Sequence, residues 1–171
     1  MEASPSRPQL VAVDTNVLFN LADEVDDTVE AIALIRRRLA HTRLLLPPTV
    51  QHEVGDWARR EAHPKHLLAR RAISLAATQG IEPASLLAVG HGIAEQIALR
   101  LRERGLLPDA EVNDSLVLAE AALLECSLLL TGDEHLRGMD FQQLTFELQR
   151  FDLAVPVIAT PREVVRKFFH Q

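Results

Sequence analysis

Apolar residues recur along this chain in two ways, as short unbroken runs and as longer stretches with helical spacing. The runs Gln9–Val13, Arg43–Leu46, Ser127–Leu130 and Val155–Ile158 predict strands. Their apolar residues are consecutive, as in strands covered on both faces. Between the first two, Thr28–Ala40 predicts a helix with Asp27 or Thr28 as N-cap and Val29, Ile32, Ala33 and Leu39 on one face. Pro47-Pro48 stops the second strand. Thr49 is the expected cap of a helix that carries Glu53 and Trp57 and runs to about Ala62. Lys65–Thr78 and Gly90–Arg104 predict two more helices, the second closed by Gly105. Asn113 or Asp114 starts a strongly apolar helix that reaches Glu125. Phe141–Phe151 has helical spacing through Phe141, Leu144, Leu148 and Phe151, and Thr160-Pro161-Arg162-Glu163 opens the last helix.

Strands separated by helices predict parallel βαβ units. The expected fold class is α/β, a three-layer α/β/α sandwich with a short, mainly parallel central sheet. No internal repeat or linker divides the chain, so residues 1–171 are read as one domain, with a helical insertion at roughly 63–106.

Composition narrows this further. Hydrophobic residues make up 47% of the 171 positions, which excludes disorder of the whole chain. The single Cys126 excludes an intramolecular disulfide and a cysteine-rich zinc site, and suits a reducing compartment. No apolar run approaches the ~18 residues of a membrane span, and MEASPSRPQL lacks the apolar centre of a secretory signal. The expectation is a cytoplasmic protein with no membrane partner. A net charge of −6 argues against a general nucleic-acid coat. It leaves room for an enzyme whose carboxylates hold divalent cations.

In parallel sheets, ligands bind beyond the carboxyl ends of the strands. The first strand ends in Asp14-Thr15-Asn16 and the third in Thr131-Gly132-Asp133. The second feeds a helix with Glu53 one turn in, and Asp114 opens the helix that precedes the third strand. Asp14, Glu53, Asp114 and Asp133 are therefore expected on one edge of the sheet. Each alone reads as an N-cap or first-turn acid. Four in matching places of successive units point to a shared site, where mutual repulsion would be relieved by Mg²⁺ or Mn²⁺.

The same residues carry a likeness. Val13-Asp14-Thr15-Asn16-Val17-Leu18, Glu53 within Thr49–Val54, Asn113-Asp114-Ser115 and Leu130-Thr131-Gly132-Asp133 resemble the PIN domain family, in that family's order and across essentially the whole chain. The resemblance implies that Asp14, Glu53, Asp114 and Asp133 bind Mg²⁺ or Mn²⁺ and support cleavage of single-stranded RNA. It implies that Asn16 and Thr131 orient those acids or the water. It further implies a VapC-like toxin of a type II toxin–antitoxin pair, with an antitoxin protein as partner and a homodimer as assembly. Two alternatives are a housekeeping RNA-processing nuclease and a catalytically silent PIN module serving as a protein scaffold. Many relatives carry a further Asp two residues after the Asp of the Thr-x-Asp element, and then Phe. Here His135 and Leu136 stand in those places, so no fifth acidic contact is expected; His135 is read as a polar loop residue, the alternative being a substrate contact.

Other signals are weaker. His52-Glu53 lacks the second His of a zinc-protease helix, and His63 with His66 has no Cys partner. The glycine loops of ATPases and dinucleotide enzymes and the serine-hydrolase elbow are absent, and a dehalogenase-type phosphatase would need Asp where Asn16 stands. The arginine clusters at 36–38, 70–71 and 100–104 read as solvated faces. Arg59 and Arg60 follow Glu53 on its helix and are the candidates for RNA phosphate contacts. Aromatics are only 4%, so stacking platforms for bases are scarce.

Overall fold

A computed structural model describes residues 7–39 and 41–169. The stretch read above for a secretory signal falls largely outside them, as does Ala40. In chain order the elements are β1 (Leu10–Val13), α1 (Thr15–Ala22), α2 (Asp26–Arg38), β2 (Arg43–Leu46), α3 (Pro48–Arg59), α4 (His66–Thr78), β3 (Glu82–Pro83), α5 (Ala88–Glu103), α6 (Val112–Leu123), β4 (Leu128–Leu130), α7 (Glu134–Arg137), α8 (Phe141–Gln149), β5 (Val157–Ala159) and α9 (Pro161–Phe169).

The five strands form one sheet in the order β3-β2-β1-β4-β5, with every pair parallel. Consecutive residues of β1, β2 and β4 are buried, because helices cover both faces. The result is the expected α/β/α sandwich. Helix pairs α2 with α9, α3 with α4 and α5 with α6 pack against each other around a core rich in Leu, Val, Ile and Ala. Residues 63–106 contain α4, β3 and α5, and β3 joins the main sheet beside β2. No helix among the described residues is long and apolar enough to cross a membrane.

The chain leaves β1 toward β2 and β3, then returns to place β4 on the other side of β1. That reversal makes the carboxyl ends of β1 and β4 a topological switch point, the place where such sheets bind ligands. Val13 and Leu130 are register partners, so the residues after them, Asp14 and Thr131, emerge side by side. The Asp14 amide donates to the Leu130 carbonyl at 3.0 Å, and the Thr131 amide to the Ala159 carbonyl at 3.0 Å.

Several local expectations are corrected. Thr49 does not cap α3. Pro47 holds the cap position and Pro48 starts the helix without needing a donor, while Thr49 turns to a carboxylate on another helix. Helix α2 starts at Asp26, because the Val25 carbonyl accepts from Thr28 and Val29; Thr28 is thus inside the helix and buried. Helix α6 begins at Val112, since Glu111 accepts from the Ser115 amide. Phe141 is exposed, leaving Leu144 and Leu148 as the buried face of α8. The last strand is displaced to Val157–Ala159, beyond Pro156, which has no N–H for the ladder. The predicted start of α9 holds as a reciprocal cap: Glu163 N–H donates to Thr160 Oγ1 at 3.1 Å, and Thr160 N–H to Glu163 Oε2 at 2.9 Å.

Candidate active site at the acidic strand edge

Asp14 sits at the strand-to-helix junction and is both a cap and a member of a larger cluster. Its Oδ1 accepts from the Thr15 amide at 2.8 Å, which caps α1. Its Oδ2 accepts from Thr131 Oγ1 at 2.7 Å and from Asn16 Nδ2 at 3.3 Å. The residue is only 4% exposed. Burial pushes its carboxyl above the ordinary range, against the Thr131 and Thr15 hydrogen bonds, and the charges of Glu53 and Asp133 push it further the same way.

The loop after β4 is tied to this carboxylate twice. Thr131 Oγ1 accepts from the Asp133 amide at 3.0 Å while donating to Asp14, so one hydroxyl sets the spacing of two acids. Asn16 Oδ1 accepts from the Gly132 amide at 2.8 Å. A Cβ on residue 132 would lie 3.3 Å from that oxygen, which is why glycine suits this close approach. Asp133 caps α7 through Oδ1, which accepts from the His135 amide at 2.8 Å and the Leu136 amide at 3.0 Å.

Asp114 lies in the first turn of α6. Its carboxyl is pushed up to about 8, first by burial, then by the charges of Asp133 and Asp14, and also by a hydrogen bond with Glu111. Glu53 comes from α3, where its Oε2 accepts from Asn113 Nδ2 at 2.7 Å, bridging α3 to α6. The structure thus brings Glu53, Asp114 and Asp133 into electrostatic range of Asp14, and Asp133 into range of Asp114, with Asn16 and Thr131 both bonded to Asp14. No Lys or Arg nitrogen among the described residues lies within 4.0 Å of these four carboxylates. A set of oxygen donors paired to no Lys or Arg among the described residues fits a hard divalent cation.

Arg59 and Arg60 close α3 on the exposed side, and Arg60 is held by Asp56 at 2.9 Å. Neither arginine pairs with the acids of the edge.

Sequence reasoning passed over two acids here, Glu111 and Glu120. Glu111 and His135 flank Asp114 and Asp133, with His135 Nδ1 3.4 Å from Glu111 Oε1. His135 therefore lies in the short helix α7 and not in a loop. Glu111 stands three residues before Asp114, a spacing that would have flagged it. The second group is Glu120, 3% exposed, which accepts from Thr49 Oγ1 at 2.6 Å and from the Thr49 amide at 3.0 Å. Burial raises its carboxyl, and the two Thr49 bonds oppose that rise. By holding the first turn of α3, Glu120 anchors the helix that presents Glu53. Beside them opens a cavity of about 520 Å³, lined in part by Glu53, Trp57, His91, Asn113 and Glu120.

Comparison with known proteins bears on the family and the fold. A profile of the PIN domain family matches residues 11–142. None of the curated proteins compared matches the sequence. Among solved structures, the chain is similar to the crystal structure of VapBC2 from Rickettsia felis bound to a DNA fragment from their promoter. The TM-score is 0.58 at 13% identity, covering 89% of this chain and 98% of that one. It is also similar to VapBC-1 from nontypeable Haemophilus influenzae, with a TM-score of 0.55 at 17% identity, covering 90% and 98% of the two chains. At such identities the likeness is one of fold.

Proposed function

The chain belongs to the PIN domain family, and on that premise we propose that it is a metal-dependent endoribonuclease, the toxin of a type II toxin–antitoxin pair. The observation that carries the reading is the convergence of Asp14, Glu53, Asp114 and Asp133, with no Lys or Arg among the described residues paired to them. Such a cluster is electrostatically unfavourable by itself. It is what a site for Mg²⁺ or Mn²⁺ requires.

Asp14 and Asp114 would hold the cation directly. Asp14 is fixed by three donors and buried, so its position varies little. Asp114 stands on a rigid helix at its positive end. Glu53, steered by Asn113, and Asp133, with one oxygen bound to α7, would complete the set. When bound, the cation would make a water available as nucleophile and offset charge developing on the phosphodiester. Thr131 keeps Asp14 and Asp133 at constant separation as substrate arrives. Asn16 does the same for Asp14 and the Gly132 backbone. Arg59 is exposed on the helix of Glu53 and is offered as a phosphate contact; Arg60 would first have to leave Asp56.

The toxin reading is supported by the fold shared with chains of two VapBC complexes. It implies an antitoxin protein as partner. The test is expression of the chain alone in a bacterial host, with Asp14→Asn as control. Growth arrest accompanied by new RNA ends, both relieved by Asp14→Asn, is the expected result. Undisturbed growth on well-expressed, folded wild-type protein would contradict the toxin reading.

A further inference from the structure

The cavity beside Glu53 has no part in holding a cation, yet it opens from the same edge. It lies between α3, α5 and α6, and its volume of about 520 Å³ falls within the range of about 300–1,000 Å³ typical of small-ligand sites. Glu53 lines it and also stands in electrostatic range of Asp14, so the cavity adjoins the place where a phosphodiester would be held. The lining is graded in depth: His91 is exposed at the rim, Trp57 is half-buried and Glu120 is buried. Trp57 is braced by Phe19, with ring centroids 5.5 Å apart, and by His63 at 5.0 Å, so that wall is fixed. Glu120 is fixed by Thr49, whose hydroxyl reaches Oε1 at 2.6 Å and whose amide reaches Oε2 at 3.0 Å. A carboxylate has about four acceptor sites, so each oxygen keeps a lone pair for a ligand. His91 lies close enough for its charge to act on Glu120. No Lys or Arg among the described residues lines the cavity.

We propose that this cavity is a nucleobase subsite, which takes a guanine of the RNA next to the cleaved bond and reads it with Glu120 and His91. The inference rests on the nuclease reading of the acidic edge. A lining with carboxylates and no Lys or Arg repels phosphate and favours a group rich in N–H donors. Among the four bases only guanine carries two adjacent donors on its pairing edge, N1–H and the N2 amino group, with the acceptor O6 beside them. A carboxylate with an imidazole next to it is the complement of that edge. Adenine, cytosine and uracil would each set an acceptor against Glu120 and leave a buried polar group unpaired, which a site of this kind rejects strongly. An arginine from a partner protein offers paired donors but no acceptor for the imidazole N–H.

The test is cleavage of a random-sequence single-stranded RNA pool by the full chain with Mg²⁺, with the new ends sequenced, beside NMR titration of the same protein with each of the four nucleosides. The wild type should cut next to guanine about tenfold or more in excess of any other base, and guanosine should bind most tightly. Glu120→Gln turns an amide NH₂ toward the donors of guanine, so the excess should fall to about threefold or less. His91→Ala, a change at the exposed rim, should lower it severalfold with the melting curve unchanged. Thr49→Val loosens the same anchor of α3 but keeps the carboxylate, so cleavage should slow while the guanine preference stays. Cleavage without base preference, or a preference undiminished in Glu120→Gln or His91→Ala, would overturn the subsite and leave the nuclease reading standing. Binding of arginine amide with no binding of guanosine would assign the cavity to a partner protein and overturn the subsite as well. Absence of cleavage at every sequence would overturn the nuclease reading on which the subsite rests.

Discussion

Replacing Thr131 with Val probes the joint between the two strand ends. Thr131 is fully buried, and its hydroxyl donates to Asp14 Oδ2 at 2.7 Å while accepting from the Asp133 amide at 3.0 Å. Val keeps the volume and removes both bonds. Losing a donor to a buried carboxylate costs about 1.5–3 kcal/mol, and leaving the Asp133 amide without its acceptor adds about 1 kcal/mol. The sum, about 2.5–4 kcal/mol, corresponds to a melting point lower by roughly 5–16 °C for a chain of this size. Thr131→Ser keeps the hydroxyl and loses one methyl group, which costs about 1 kcal/mol. Urea denaturation of the three metal-free proteins at neutral pH measures the difference. The pH dependence has a definite sign. Asp14 titrates above its ordinary range when folded, so its burial costs nothing below the unfolded pKa and most at high pH. Thr131 offsets that cost only while Asp14 is ionised. The gap between Thr131→Val and wild type should therefore widen as pH rises through the Asp14 titration. A Val variant as stable as the Ser variant, or a gap that widens on acidification, would show that Thr131 does not support an ionised Asp14.

Asp114 titrates at about 8 in the folded chain against 3.8 ordinarily. The folded protein thus retains a proton that the unfolded chain releases, and this contribution to stability fades as pH rises toward 8. Melting points of metal-free wild type should fall between about pH 4 and pH 8 relative to Asp114→Asn. Mg²⁺ or Mn²⁺ at about pH 8 should raise the wild-type melting point and leave Asp114→Asn nearly unmoved; parallel pH curves for the two proteins would contradict this. Glu120→Ala should cost about 2–3 kcal/mol by stripping both Thr49 donors of their acceptor, and Glu120→Gln, which keeps one acceptor oxygen, should cost less. Chemical denaturation checks the order, and equal losses would show that Glu120 does not anchor α3 through Thr49.

The parallel sheet was legible because β1, β2 and β4 are apolar on both faces, a pattern no amphipathic helix shows. Helix α1 was not. Six of its eight residues are buried, Thr15, Val17, Leu18, Phe19, Leu21 and Ala22, so its polar stripe shrinks to Asn16 and Asn20, too short to establish a period. Strand β3 is two residues long and contains Pro83, which a sheet tolerates only at its edge. At the site, Asp14 and Asp133 stood out as acids just beyond strand ends, Asp114 as an acid in a first turn and Glu53 as one a turn into its helix, all facing the same edge. The links between them were hidden. That Thr131 joins Asp14 to Asp133, and Asn113 joins Glu53 to α6, follows from strand register and helix packing, which sequence spacing does not specify. Glu120 has no signal of its own within an apolar helix, and its neighbour across the core, Thr49, reveals it as a polar anchor.

If the acids of the strand edge hold a divalent cation for phosphodiester hydrolysis, cleavage must depend on both the cation and Asp14. The decisive measurement is cleavage of an end-labelled single-stranded RNA by purified, metal-free protein, with Mg²⁺ or Mn²⁺ added back, beside an Asp14→Asn variant of matched melting behaviour. Cleavage should appear with either cation, stop with EDTA and fall below detection in Asp14→Asn. Full cleavage in EDTA, or by Asp14→Asn, would contradict a metal-held mechanism at this edge.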